Sequence, residues 1–282
     1  MNVDHSSMSW EQAVQWLRDQ PDMAQLVADC YYDDPLLVAA ERYWSSDEWQ
    51  AARVVLDGRS GTALDVGAGR GIASYALAKD GFAVTALEPN PSALVGAAAI
   101  RGLAAESGVA IQVCEEFSER LPFESNSFDV VFARAVLHHT IYLSSACAEF
   151  HRVLKPGGIM LAVREHVISK MADLSEFFNI HPLHHLYGGE NALLLQEYEA
   201  AIRGAGFVGL KVISPWHSPI NFAPYSLTSL QQVIADKFGP LARVARGFLR
   251  MPGAWPLSRC LLNVFDRRPG RLYSFVASKP AL

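Results

Sequence analysis

Three glycines at alternate positions and a carboxylate one strand further on are the residues in this 282-residue chain best placed to hold a ligand. In Ala63-Leu64-Asp65-Val66-Gly67-Ala68-Gly69-Arg70-Gly71, an apolar strand passes through Gly67, Gly69 and Gly71 into a helical pattern. Side chains at such positions would block close approach, whereas glycines leave backbone amides and a helix amino end facing a ligand. Alone, such a loop is no more than a tight strand-to-helix turn. Glu88 adds the context, closing the next apolar run in Val84-Thr85-Ala86-Leu87-Glu88-Pro89-Asn90. An acidic side chain about twenty residues beyond the glycines is placed to accept from both ribose hydroxyls of a nucleoside.

Histidines supply the second set. His138 and His139 follow Leu137 directly; on a helical turn they diverge by about 100°, so only one of them can face a reactant, the alternative being that both pack or cap the helix. His181, His184 and His185, with Tyr187 and Glu190, form another polar cluster, and Glu165 and His166, which leave an apolar run directly into the ligand crevice, are further candidates. Imidazoles titrate near neutrality, so His138, His139, His184 and His185 are candidates to orient an acceptor or take its proton. With no carboxylate pair or cysteine beside them, proton transfer is expected ahead of metal binding, and no metal site is assigned. Tyr75 and Lys79 form a Y-x-x-x-K pair, but immediately after the glycines it cannot face a nicotinamide, and it is read as coincidence.

The elements that must position these residues follow from periodicity. Apolar runs alternate with amphipathic stretches from residue 61 onward, which predicts strands at 62–66, 83–88, 109–114, 128–133, 158–164, 207–213 and 272–278. Helices are expected at 71–80, 91–107, 141–154 and 195–205. This is an α/β chain with a Rossmann-like, doubly wound, seven-stranded, mostly parallel sheet, whose ligands bind beyond the carboxyl ends of the strands. Residues 1–60 read as a helical cap, with a capping box at Ser9 and Gln12 and Asp34 as an N-cap before Pro35. Its aromatic residues Tyr31, Tyr32, Tyr43, Trp44 and Trp49 are expected to pack on the core. The core itself spans 61–213 and 272–282, and residues 214–271 form a lid-like insertion before the last strand. Segments 165–194 and 214–271 exceed what the core needs and are assigned to acceptor recognition.

Taken in order, L-D-V-G-A-G-R-G, A-L-E-P-N, L-P-F-E-S-N-S-F-D-V-V-F, L-H-H and H-R-V-L-K-P-G-G resemble the class I S-adenosylmethionine-dependent methyltransferases, particularly the quinone-biosynthesis and natural-product branch. The resemblance covers roughly residues 60–212 and says little about either flank. It implies that Asp65, Ala68 and the backbone of Gly67 to Gly71 hold the methionine portion of S-adenosylmethionine, and that Glu88, with Pro89 beside it, holds the ribose. It also implies that Ala133 and Arg134 lie beside the sulfonium, with S-adenosylhomocysteine as product. One departure stands out. Many relatives carry an Asp four positions before the Leu-Pro-Phe leucine to bind the adenine amino group, and here that position is Phe117. Either Glu116 or a backbone group makes the contact while Phe117 stacks on adenine, or adenine is held more loosely.

The expected reaction is methyl transfer to a small or medium-sized acceptor, foremost a hydroxyl of a sugar or secondary metabolite. Alternatives are C-methylation of a quinone-like or other acidic carbon, and S-adenosylmethionine binding without turnover. A net charge of −5 and the absence of an N-P-P-Y or D-P-P-Y element after the fourth strand speak against a nucleic-acid partner. The third glycine arrives one residue too early for the G-x-G-x-x-G of nicotinamide enzymes. The amino terminus has no basic head and apolar run, no apolar stretch is long enough to span a bilayer, and the four cysteines are scattered, so a cytoplasmic protein is expected. Between Lys237 and Arg271 eight basic residues accompany one acidic residue, Asp266, and mix with Phe248, Leu249, Trp255, Leu261, Leu262 and Phe265. That segment is a solvated helical face, or it meets a membrane surface or a phosphate-bearing acceptor.

Overall fold

The computed structural model describes residues 8–56 and 58–281. Four helices open the chain: α1 (Trp10–Arg18), α2 (Ala24–Asp29), α3 (Leu36–Trp44) and α4 (Asp47–Val55). Strands and helices then alternate as β1 (Thr62–Val66), α5 (Ile72–Lys79), β2 (Ala83–Leu87), α6 (Ala97–Ser107), β3 (Ile111–Cys114), β4 (Phe128–Arg134), α7 (Leu143–Val153) and β5 (Leu154–Ile168). The chain continues through α8 (Leu174–Phe178), α9 (Pro182–Leu186), β6 (Leu193–Leu194), α10 (Leu195–Gly204) and β7 (Val208–Ile213). It ends with α11 (Leu227–Asp236), α12 (Ala242–Leu249), α13 (Ala254–Phe265) and β8 (Arg271–Ser278).

The sheet runs β3-β2-β1-β4-β5-β8-β7, with the two-residue β6 paired to β5 at its side. Pairing is parallel from β3 to β5 and antiparallel wherever β8 takes part. The Rossmann-like architecture expected from the sequence is therefore present, with a short eighth strand that periodicity over two residues cannot reveal. Both faces are covered, which is why the strands read as continuous apolar runs. On one face Ala63, Val130, Phe132 and Leu161 meet Tyr43, Trp49 and Ala76. On the other, Leu64, Val131 and Met160 meet Phe150 of α7 and Tyr198 of α10. Each large apolar side chain fully buried here contributes about 1.5–3 kcal/mol.

Local chemistry corrects two boundaries. The second crossover helix begins at Ala97 rather than near residue 91, because Asn90 Oδ1 accepts from Ser92 N at 2.9 Å and Ser92 Oγ accepts from Leu94 N at 2.9 Å. Such side-chain turns compete with helix for the same amides. Asp34 does not cap α3. Pro35 holds the N-cap position without a side-chain bond, and the Asp34 carboxylate is taken by Arg70 and Arg18. The Ser9 and Gln12 capping box forms as expected, with Ser9 N donating to Gln12 Oε1 at 2.9 Å and Gln12 N to Ser9 Oγ at 3.2 Å.

One irregularity matters for the site. Between Ala162 and Glu165 the β5–β8 register slips, and Arg164 takes a left-handed φ of 62°. A bulge of this kind bends the strand and re-aims side chains.

Candidate active site at the carboxyl edge of the sheet

The glycine loop leaves β1 and enters α5 through left-handed backbone at Gly67, Gly69 and Gly71. A Cβ on Gly67 would fall 2.7 Å from Val136 Cγ2, so that side of the loop is closed. A Cβ on Gly69 would meet nothing within 4 Å, so the loop is open where a ligand backbone could approach. Glu88 is buried beside it, with Oε2 accepting from Gly69 N at 2.8 Å and Oε1 from Asn90 N at 2.9 Å. Burial raises the Glu88 pKa, partly offset by those two amides. Asp65 lies below the loop, buried, accepting from Ser74 Oγ at 2.6 Å; desolvation pushes its carboxyl up to about 7. Ala68 is buried and Pro89 half-buried around this pocket. Carboxylates on either side of open glycine backbone fit a nucleoside joined to an amino acid.

Glu116 and Phe117 are exposed, Phe117 to 65%. An exposed phenyl ring after β3 suits stacking rather than the hydrogen bond that Asp makes in relatives. Ala133 is buried at the end of β4, paired in register with Val66. Arg134, at the end of β4, reaches the amino-terminal helices. Its Nε donates to Glu48 Oε1 of α4 at 2.6 Å, and its guanidinium lies 5.5 and 5.2 Å from the Tyr31 and Tyr43 ring centres. Arg164 completes this buried cluster at 3.5 Å from Glu48 Oε2, and the two arginines hold the Glu48 pKa down against its desolvation. Tyr75 and Lys79 both bind Glu41 of α3.

Beyond β4, Val136 leads into a short 3-10 turn, Leu137–His139, pinned from below by Glu165. This fully buried carboxylate accepts from Val136 N at 3.1 Å and His138 N at 3.2 Å, and its Oε2 lies 2.6 Å from His138 Nδ1. Burial pushes Glu165 up to about 7, with the backbone donors acting the other way. The two histidines do not diverge: their ring centres lie 4.3 Å apart, because the tighter turn lets both reach Glu190. His138 Nε2 is 3.5 Å from Glu190 Oε1, and His139 Nε2 is 4.0 Å from Oε2. His166 and His184 approach the same carboxylate from β5 and α9. Desolvation drives His138 and His166 well below the usual histidine range and lowers His184, so these rings are neutral.

His185 lies apart, exposed, with Nδ1 3.3 Å from Phe178 O. His181 caps α9, accepting from Leu183 N at 3.1 Å, and burial takes it down to about 4. Sequence reasoning missed the wall over the cluster. Trp10 of α1 packs edge-on against Tyr187 at 5.1 Å and Tyr32 at 6.1 Å, with His139 6.3 Å away. The aromatic residues near Tyr31 and Tyr32 were the available signal, but nothing in their spacing points across the sheet edge.

An open parallel sheet with this order, a glycine turn after its first strand and an acid after its second defines a nucleotide-cofactor fold. The comparisons with known proteins agree in kind: residues 64–162 match the family described as methyltransferase domain. It is 32% identical over 148 residues to demethylmenaquinone methyltransferase of Chlorobaculum tepidum, covering 52% of this chain and 58% of that one. It is 37% identical over 114 residues to ubiquinone biosynthesis O-methyltransferase of Pseudomonas paraeruginosa, covering 39% and 46%. The chain thus spans about half the length of these curated relatives. In three dimensions it resembles phosphoethanolamine N-methyltransferase 2 of Haemonchus contortus, with a TM-score of 0.57 and 16% identity over 97% of this chain and 60% of that one.

Proposed function

We propose that the protein binds S-adenosylmethionine and transfers its methyl group to a hydroxyl oxygen of a small or medium-sized acceptor. The cofactor, when bound, supplies a methyl on a positively charged sulfur and leaves as a neutral thioether, S-adenosylhomocysteine. In this reading Glu88 accepts the ribose hydroxyls, Asp65 and the Gly67–Gly71 backbone hold the amino-acid end, and Phe117 stacks on adenine. The observation that carries the reading is the contact of Val136 with Gly67. It joins the cofactor loop directly to the turn that presents His138 and His139.

Proximity does most of the work in such a transfer. Neutral imidazoles beside the pocket orient the hydroxyl and accept its proton. The oxygen then bonds to the methyl carbon as the carbon–sulfur electron pair returns to sulfur. Segment 165–194, which builds the histidine walls, is assigned to acceptor recognition, and the helices of 214–271 to contacts outside it. C-methylation of a quinone-like acceptor is the second reading, supported by the demethylmenaquinone relative. Calorimetry with S-adenosylhomocysteine tests the cofactor. Mass spectrometry of a cell extract incubated with labelled S-adenosylmethionine identifies the acceptor and separates O- from C-methylation; saturable binding without any labelled product would leave a cofactor-binding protein that does not turn over.

For the partner of segment 237–271, an anionic membrane surface fits best. Phe238, Leu241, Val244, Phe248, Met251, Leu261, Val264 and Phe265 are all at least half exposed there, interleaved with seven arginines and Lys237. Apolar groups and cations side by side on short amphipathic helices match the boundary between headgroups and acyl chains. A cleft of about 620 Å³ is lined by Arg203, Arg267 and Arg271 together with Glu199, which pairs with Arg203 at 3.5 Å, so its lining keeps a net positive charge for a phosphate headgroup. No helix among the described residues is long and apolar enough to cross a membrane. The free cysteines accord with placement on a cytoplasmic face.

A further inference from the structure

Each histidine around Glu190 has one ring nitrogen already committed. His138 Nδ1 faces Glu165 Oε2 at 2.6 Å, His139 Nδ1 faces Gly189 O at 3.1 Å, His166 Nδ1 faces Gly270 O at 3.2 Å, and His184 Nδ1 faces Phe177 O at 3.1 Å. A carbonyl or carboxylate opposite Nδ1 fixes the proton there and leaves the lone pair on Nε2. This is the outer-shell arrangement that orients metal-ligating histidines. The Glu190 carboxylate is 4% exposed, and no Lys or Arg pairs with it among the described residues. Its neighbours are instead the Nε2 atoms of His138 and His139.

We propose that His138, His139 and Glu190 bind one zinc-class divalent ion, leaving a fourth position open. One ligand atom from each of the three lies within 4.8 Å of the others. Tetrahedral ligands about 2.0–2.2 Å from zinc stand roughly 3.3–3.5 Å apart. His138 Nε2 and Glu190 Oε1, at 3.5 Å, already have that separation, and His139 Nε2, 4.0 Å from the second oxygen Oε2, closes on the ion by a small side-chain movement or by both carboxylate oxygens turning toward it. His166 and His184 form a second such group with the same carboxylate, so Glu190 belongs to both. The sequence conceals this site because its ligands come from the turn after β4 and from the loop after α9, some fifty residues apart.

Three protein ligands with nitrogen and oxygen donors favour zinc, cobalt or a similar ion over calcium or magnesium. The role of the ion rests on the methyl-transfer reading: an acceptor hydroxyl reaching the open position would lose its proton more readily, with His166 and His184 available to receive it. Its existence does not rest on that reading, and the test keeps the two apart.

The full chain, stripped with chelator, is titrated with Zn²⁺ by calorimetry and with Co²⁺ by visible absorption. Expected are about one ion per chain and the intense bands of four-coordinate cobalt. His139→Ala, whose side chain is partly exposed, folds as before and loses at least tenfold in Zn²⁺ affinity; His139→Cys restores binding and adds a thiolate-to-cobalt band. Glu190→Gln loses affinity likewise, whereas His217→Ala, at an exposed position in neither group, binds as the parent does. Absence of the cobalt bands from the parent protein, or equal Zn²⁺ affinity in His139→Ala, overturns the proposal. S-adenosylhomocysteine binding, measured on the same samples, reports separately on the cofactor reading.

Discussion

Arg70, set between two glycines of the cofactor loop, donates through Nη1 to the carbonyl oxygen of Asp33 at 2.9 Å, so the loop is fastened to the amino-terminal helices from below. The same nitrogen reaches Tyr31 O at 3.1 Å, and Nη2 pairs with Asp34. The side chain is 5% exposed. Arg70→Ala leaves two carbonyls without a donor and should lower the unfolding free energy by about 2–4 kcal/mol. Urea denaturation measures the loss, and limited proteolysis should cut first between α2 and α3.

Replacing Glu88 by Ala should weaken S-adenosylhomocysteine binding by ~10–100-fold, the worth of one or two charge-assisted hydrogen bonds. Calorimetry decides the matter. Unchanged affinity would remove the ribose assignment.

His184 stacks on Phe177, with ring centres 4.3 Å apart, and lies away from the glycine loop. Its replacement by Ala should leave S-adenosylhomocysteine affinity within about twofold and reduce turnover by ~100-fold or more, the usual range for a proton acceptor. A parallel fall in both would place His184 in the cofactor pocket instead.

The Asp65 carboxyl carries a pH signature. Its pKa is about 7 in the folded chain against an ordinary value of 3.8, so between those values the folded state keeps a proton that the unfolded state releases. Its contribution to stability is complete below about pH 4 and is lost as pH rises toward 7, at up to about 1.4 kcal/mol per unit. Denaturation of the parent and of Asp65→Asn at pH 5, 6 and 7.5 isolates this group. The parent should fall progressively relative to the variant as pH rises; a constant difference would mean that Asp65 is ionised throughout.

If the 237–271 face meets lipid, the full chain should cosediment with vesicles containing phosphatidylglycerol and not with neutral ones, and salt should release it. Leu241→Asp with Phe248→Asp, both at exposed positions, should reduce binding at least tenfold without changing the thermal midpoint. Equal retention on neutral vesicles would count against an anionic partner.

The sheet and the glycine turn after β1 were legible because their signals are local: alternation of apolar runs, three glycines and Glu88 lie within one βαβ unit. The start of α6 was not, since it depends on which side chains seize the amides around Ser92. Nor was the histidine cluster as a whole. His138, His166, His184 and Glu190 were each visible as reactive types, but only the curvature of β5 and the placement of α9 bring them to one point. The partner of Arg134 was hidden for the same reason, because Glu48 lies some eighty-six residues earlier in the chain.

The extra residue in β5 sets the phase of everything after it. Ahead of Arg164, Met160 and Ala162 face the α7 side; behind it, Val167 and Glu165 do, so odd positions have exchanged places with even ones. Excising that one residue would rotate the outgoing strand by half a turn, turning the Glu165 carboxyl toward the Glu48 side and away from the Val136 and His138 amides it accepts from. Single-residue deletions at Val163 or Arg164 should therefore be far less tolerated than substitutions there.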